Sequence, residues 1–287
     1  MATVNEIKEE LKFNRGMMDI VEIMKNIAVF QFRALQRKKE RFGLLAGALE
    51  GFFRMVDIGQ ASGPFINPRT GALAIVMITS DEGFMGGLNL KVINTAVSQP
   101  GADNSELIVL GERGARYLGE IGKPFTAFRG IDFEARYKLA SELKEYIVKG
   151  VKEGRFGRVI LSYPNPVSFL VQRVDVAKVL PLSGDRGQGA GDRGQGTGFR
   201  REVIIESPLE GIVEYLAEQA IFHKLIEVFE DSKMSEFAAR AIHLEGSGRD
   251  LAEKENILKL RYFHAYHEVI DKGTRELFAA QVIRRRR

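Results

Sequence analysis

The sequence predicts an α/β protein: a long antiparallel coiled coil of N- and C-terminal helices, with a Rossmann-like three-layer α/β domain inserted between them. Three observations carry this. Apolar residues recur at alternating steps of four and three from Ile7 to Val56. A middle stretch alternates branched apolar runs with helical patterns. After Pro208 helical periodicity returns and runs to the C-terminus with no further proline.

The first segment, 1–58, reads as one helix. Its seam is Ile7, Leu11, Asn14, Met18, Val21, Lys25, Ala28, Phe32, Leu35, Lys39, Phe42, Ala46, Leu49, Phe53 and Val56. All but Asn14, Lys25 and Lys39 are apolar. At about 1.5 Å per residue such a helix is roughly 75 Å long and needs a partner helix along most of its length. The polar seam positions cost stability and either fix register or mark where the partner is not continuous. Gly43, Gly47 and Gly51 recur every fourth residue, each costing about 1 kcal/mol against alanine in a helix interior. They are either tolerated or form a smooth face for close backbone approach.

"DIGQASGPFINPRT" (57–70) breaks the helix with glycine and proline. From 70 to 206 the chain reads as the α/β domain. "ALAIVMIT", "SELIVLG" and "GRVILSY" have the length and branching of buried strands. Between them, "GGLNLKVINTAVS", "ERGARYLGEIG" and "FEARYKLASELKEYIVKGVKEG" read as helices, which argues for a mostly parallel sheet. "VQRVDVAKVLPL" and "REVIIES" read as further strands, antiparallel at an edge. Within 183–198 "GDRGQG" occurs twice and no large apolar residue is present, so this segment reads as a disordered insertion. From 208 to 287 the chain is helical again, with Leu209, Ile212, Val213, Leu216, Ala220, Ile226 and Phe229 on one side and "GSG" at 246–248 as a weak point. It is the natural partner of the first helix.

Composition narrows the function classes. With 45% hydrophobic and 28% charged residues, the 287-residue chain suits a protein with a substantial core. No apolar run approaches the ~20 residues of a membrane span, and the N-terminus lacks signal-peptide order. Cysteine is absent, which removes disulfides, thiolate metal sites and thiol nucleophiles and fits a reducing compartment. A net charge of +4 is too mild for a dedicated nucleic-acid binder. The basic runs "RALQRKKER" and Arg284 to Arg287 read as solvated faces, or as contacts for acidic partners.

"SDEGFMGGLN" (80–89), a glycine-rich turn after a strand, invites a phosphate-binding reading. It fails the chemistry. No Lys-Ser/Thr pair follows Gly87, and Gly83, Gly86 and Gly87 have the wrong spacing for GxGxxG. The glycines shape a tight turn, and Asp81 caps or salt-bridges locally. His264 and His267 share a helix face but lack a third metal ligand, and no GxSxG surrounds Ser80. No constellation for catalysis, cofactor or metal emerges.

Taken in order, "MDIVEIMKNIA" (18–28), "TSDEGFMGGLN", "VLGERGARYL", "VSFLVQRVDVAKVLPL" and "SEFAARAIHLEGSGRDL" resemble the motifs of one family, the gamma subunits of F-type ATP synthases. Ile20, Met24, Ile27 and Ala28 match in the first. Met85 stands where the family has cysteine. Ser235, Glu236, Ala238, Ala239 and Arg240 match in the last, with Leu258, Leu260 and Tyr262 beyond it.

The resemblance implies a non-catalytic rotor shaft. Its coiled coil would stand inside a ring of alpha- and beta-type subunits. Its α/β domain would form a foot on an epsilon-type subunit and the c ring of an H+ or Na+ translocating ATP synthase or ATPase. It would lie peripherally on the cytoplasmic face of the inner cell membrane, touching membrane only through partners and binding no nucleic acid. The partner-facing residues it implies are Met24 and Lys25, Ser80 and Asp81, Glu206 near the c ring, and the terminal Arg284, Arg285, Arg286 and Arg287. Tyr266 and His267 join them, standing where the family carries an Arg-Gln catch on the catalytic subunit. The rival readings are an α/β nucleotide-binding protein or enzyme with a helical arm, and a self-associating coiled-coil scaffold.

Overall fold

Helix α1 (Val4–Met55) opens on a capping box. Thr3 N–H donates to Glu6 Oε2 at 2.7 Å, and Glu6 N–H donates to Thr3 Oγ1 at 3.3 Å. The computed structural model describes residues 3–55, 63–68, 70–182 and 209–285, with backbone alone for 38–55, 209–210, 282–283 and 285. The "REVIIES" strand, the 183–198 insertion, Glu206, Arg286 and Arg287 therefore lie outside the described residues. The chain divides into two compact units: Met1–Phe30 with Arg240–Arg287, and Gln31–Ala239.

In the first unit the two terminal helices pair antiparallel. From Arg15 to Lys25 on α1 the partners run back from Glu255 to Glu245 on α5 (Leu209–Arg285). Glu10 pairs with Lys254 at 3.3 Å, Arg15 with Glu255 at 2.8 Å and Lys25 with Glu245 at 3.0 Å. Every expected seam position of α1 from Ile7 to Ala28 is buried or half-buried, and the intervening positions are mostly exposed. The two polar seam residues are used. Asn14 Nδ2 donates to the Leu251 carbonyl at 2.9 Å, and Lys25 carries the ion pair just named.

Helix α5 runs unbroken through Gly246-Ser247-Gly248, where the sequence marks a weak point. Tertiary pairing offsets the roughly 1 kcal/mol that each glycine costs. The Lys25–Glu245 and Asn14–Leu251 contacts bracket the segment, and Gly248 lies against Val21, with room for a β-carbon 3.8 Å from Cγ1.

The second unit is a three-layer α/β domain. Strands β1 (Leu73–Ile78), β2 (Glu106–Leu110), β3 (Thr126–Phe128), β4 (Arg158–Pro166) and β5 (Gln172–Leu180) form one sheet ordered β3-β2-β1-β4-β5. All neighbours are parallel except the edge pair β4–β5, which is antiparallel as the sequence suggests. Central β1 is buried at all six residues, which its unbroken apolar run requires. Its alternate residues sort between two cores. Leu73, Ile75 and Met77 face a cluster with α2 (Leu88–Val97) and α3 (Glu112–Glu120). Ala74, Val76 and Ile78 face a cluster with α4 (Arg136–Lys152) and the 217–229 part of α5.

Two features differ from the sequence reading. Strand β3 has only three residues, too few to show a period of two. It is recruited by pairing with β2 and by the Gly111 N–H bonding to the Phe128 carbonyl at 3.1 Å. And α5, expected to be apolar on one side, is buried almost all round from Leu225 to Ala239. Phe32 and Leu35 of α1, with Phe133 and Phe169, pack against its Met234, Phe237 and Ala238. The ring of Phe169, at the β4–β5 turn, meets Phe32 edge-on at 5.0 Å.

Candidate functional site

The turn after β1 lies at the carboxyl end of the sheet, where doubly wound folds place ligands. Here the polar groups are spent on the turn itself. Thr79 Oγ1 donates to the Leu110 carbonyl and accepts the Gly114 N–H at 3.1 Å. Ser80 is buried. Its N–H donates to Asn89 Oδ1 at 3.2 Å, its hydroxyl accepts Asn89 Nδ2 at 2.9 Å, and the hydroxyl donates to the Glu82 carbonyl at 2.9 Å. Asp81 Oδ1 accepts the Glu112 N–H at 2.8 Å, in the first turn of α3. A helix N-terminus attracts anions, and the anion there is the chain's own carboxylate. A β-carbon on Gly130 would lie 2.3 Å from Asp81 Oδ2, so a residue without a side chain is needed to admit it.

The same turn raises an aromatic side chain. Phe84 is 54% exposed and has φ of 63°, a left-handed conformation costing a non-glycine residue about 1–3 kcal/mol. Next to it Met85 is buried against Leu88 and Ala239 of α5. Thus Met85 anchors the turn by apolar packing, at the position where the family pattern has cysteine.

The helix-pair unit presents a different surface. Opposite the seam, Phe13, Ile20 and Ile27 recur every seven residues, with Met17 and Ile23 between them and Phe30 just beyond, all exposed. Taking the seam as a and d, they occupy the c, f and g positions, which a two-stranded coil normally leaves polar. In the sequence, Ile20 and Ile27 stand out only as matches to the family's first motif, and the stripe as a whole goes unread. The signal was a second apolar series one heptad apart, overlooked because the seam already accounted for the helix. On α5, positions beyond Leu258 are almost all exposed among the described residues, including Leu260, Phe263, Leu277 and Phe278.

The sequence-predicted residues fall as follows. Met24 is half-buried beside the outer stripe. Lys25 is engaged within the coil by Glu245, whose carboxyl is held below its ordinary value by the Lys25 hydrogen bond and charge, and further by Arg249. Glu255 is likewise lowered, by hydrogen bonds from Arg15 and Lys259. Tyr266 is exposed and stacks on Tyr262, with centroids 6.0 Å apart and planes at 13°, and exposed His267 meets it edge-on at 6.3 Å. Arg284 is exposed, and Arg285 ends α5. The structure brings Ser80 and Asp81 together, and Tyr266 with His267. Among the described residues no three His, Asp or Glu side chains gather as a metal cluster, and no helix is long and apolar enough to cross a membrane.

Two long terminal helices, an α/β domain inserted between their sequences and apolar surface left on the helices define a helix-presenting subunit. A family model described as ATP synthase matches residues 3–278. The ATP synthase gamma chain of Chlorobaculum parvum is 23% identical over 292 residues, covering 97% of this chain and 98% of its own. That of Desulforamulus reducens is 23% identical over 286 residues, covering 96% and 97%. The chain belongs to the F-type ATP synthase gamma-chain family. Its fold is similar to a chain of the Euglena gracilis mitochondrial ATP synthase, with a TM-score of 0.68 at 15% identity over 97% of this chain and 93% of that one. It is also similar to a chain of the Tetrahymena thermophila central stalk and c ring, with a TM-score of 0.58 at 18% identity over 79% and 99%.

Proposed function

We propose that the chain is the non-catalytic central shaft of a rotary ATP synthase or ATPase, located peripherally on the cytoplasmic face of the cell membrane. The observation that carries this is the outer apolar stripe of α1, Phe13, Ile20 and Ile27 with their neighbours. A helix already paired through its seam has no use for a second apolar face unless another protein covers it. A ring of alpha- and beta-type subunits around the helix pair is that cover. Tyr266 and His267 would then meet the catalytic subunit through aromatic surface rather than through the Arg-Gln pair of the family. The α/β unit would bear on an epsilon-type subunit and the c ring.

In this reading the shaft performs no bond chemistry. An asymmetric surface turning inside the ring touches each catalytic subunit differently, and those differential contacts shift each site among states of unequal nucleotide affinity. The filled anion position at α3 supports the same assignment, since Asp81 occupies the place a bound phosphate would take. The test is co-expression with alpha- and beta-type ring subunits. A stable complex that hydrolyses ATP is the expected result. A chain that stays monomeric in their presence overturns the proposal.

A further inference from the structure

Arg136 breaks two local rules. It is the first residue of α4, where the helix dipole disfavours a cation. It is also only 9% exposed, a rare place for a guanidinium. No side-chain cap closes that helix end. A residue kept against both tendencies has a compensating contact.

The guanidinium is held rigidly by its own segment. Its carbon lies 4.0 Å from the centre of the Phe133 ring and 4.3 Å from that of Tyr137. One terminal nitrogen donates to the Phe133 carbonyl at 2.6 Å and the other to the Tyr137 hydroxyl at 3.0 Å. This leaves Nε aimed across the layer at Glu230 of α5. Nε and Glu230 Oε1 are 3.6 Å apart, both buried, and neither atom makes a hydrogen bond. At the other end of α4, Lys144 and Lys152 reach Glu218 at 3.8 and 3.4 Å, and Lys152 also pairs with Glu214. Those lysine pairs are partly exposed and screened, so they hold position weakly. Between the two ends Leu139, Leu143 and Ile147 share a core with Ile221, Leu225 and Phe229. Apolar burial is strong but non-directional, and it resists rotation of a helix about its axis less sharply than a buried charge pair does.

We propose that Arg136 is a positioning residue that fixes the rotation of α5 against α4 and the sheet it covers, so that torque passes along α5 with little twist. The inference rests on the shaft reading above and adds the element that makes the shaft stiff. Its test uses the assembled rotary complex in membrane vesicles and reads ions transported per ATP hydrolysed, together with assembly and melting temperature. Arg136→Met with Glu230→Leu removes both charges at similar volume, a replacement that commonly leaves a buried site stable. The complex then assembles and melts like the parent, while ions moved per ATP fall roughly two- to threefold, in the range of changes along a coupling path. Arg136→Lys, which keeps the charge and loses the planar fork, falls between. If the double variant does not fold, Glu230→Gln is judged by the same ratio. An assembled variant with the parent's ratio, or one whose hydrolysis and transport decline together at constant ratio, overturns the clamp. A parent chain that never joins the ring subunits overturns the shaft reading instead.

Discussion

The two units of this chain solve the burial problem in opposite ways. In the α/β unit every residue of β1 is buried, and alternate side chains sort cleanly into two cores that the chain's own helices cover. In the helix-pair unit α1 buries its seam and leaves six large apolar residues of its outer side in water. One unit covers both faces of its sheet with its own helices. The other is complete only as a surface. The difference teaches where a covering partner is to be sought: on the unit whose hydrophobic pattern exceeds what its own fold can cover.

The sharpest way to break this contrast is a pair of matched truncations. Leu143→Ala, in the closed core, is expected to cost about 2–5 kcal/mol of stability, read by thermal or denaturant unfolding of the isolated chain. Ile20→Ser with Ile27→Ser, on the open stripe, should change that stability by less than about 0.5 kcal/mol. The same double change should weaken association with the ring subunits roughly a hundredfold, from the burial lost by two aliphatic side chains. A serine pair that unfolds the chain, or that binds the ring normally, would remove the distinction between the units.

A smaller effect makes the helix pair more like the closed unit. Asn14 is 1% exposed in the seam, and its Oδ1 has no hydrogen-bond partner. Asn14→Leu should stabilise the pair by about 1 kcal/mol, since it removes an orphaned acceptor while the Leu251 carbonyl keeps its helical bond. Hydrogen exchange on the first turns of α1 would measure it. Faster exchange would mean that the 2.9 Å bond to Leu251 outweighs the orphaned atom.

The smallest effect is a pH dependence confined to the helix pair. Glu245 and Glu255 have carboxyls held below their ordinary value of 4.5, chiefly by hydrogen bonds from Lys25 and Arg15 respectively. A depressed folded-state value means that their contribution is present above the unfolded value and is lost as pH falls through the folded one. The pair should therefore loosen only below about pH 4.5, and less visibly in high salt because each ion pair is open to solvent on one side, at Glu245 and at Arg15. Protection factors near Glu245, corrected for intrinsic exchange, that stay flat from pH 6 to pH 3 would remove these pairs from the stability of the coil.

Much of the architecture was legible because period is a local property. The four-and-three seam from Ile7, the strand runs at 73–78, 106–110 and 158–166, and the helices between them each announce themselves within a dozen residues. The antiparallel edge of β5 was also readable. What escaped was set by pairing over distance. Strand β3 exists because β2 offers it an edge. The Gly246–Gly248 stretch stays helical because α1 lies against it. The candidate surface was legible only in part, since the outer stripe has the same residue types as the seam and nothing local says which face is covered.

The sequence by itself determined the class of the fold and the lack of P-loop or GxGxxG spacing at residues 80–89, because periodicity and motif spacing need no neighbours to be read. It also carried the family likeness through ordered motifs. Only the tertiary structure decided that Asp81 fills the anion position of α3, that Lys25 is engaged by Glu245, and that Arg136 points at Glu230. Each joins residues from 31 to 220 positions apart in the chain, and such contacts arise only once packing has brought distant backbone together.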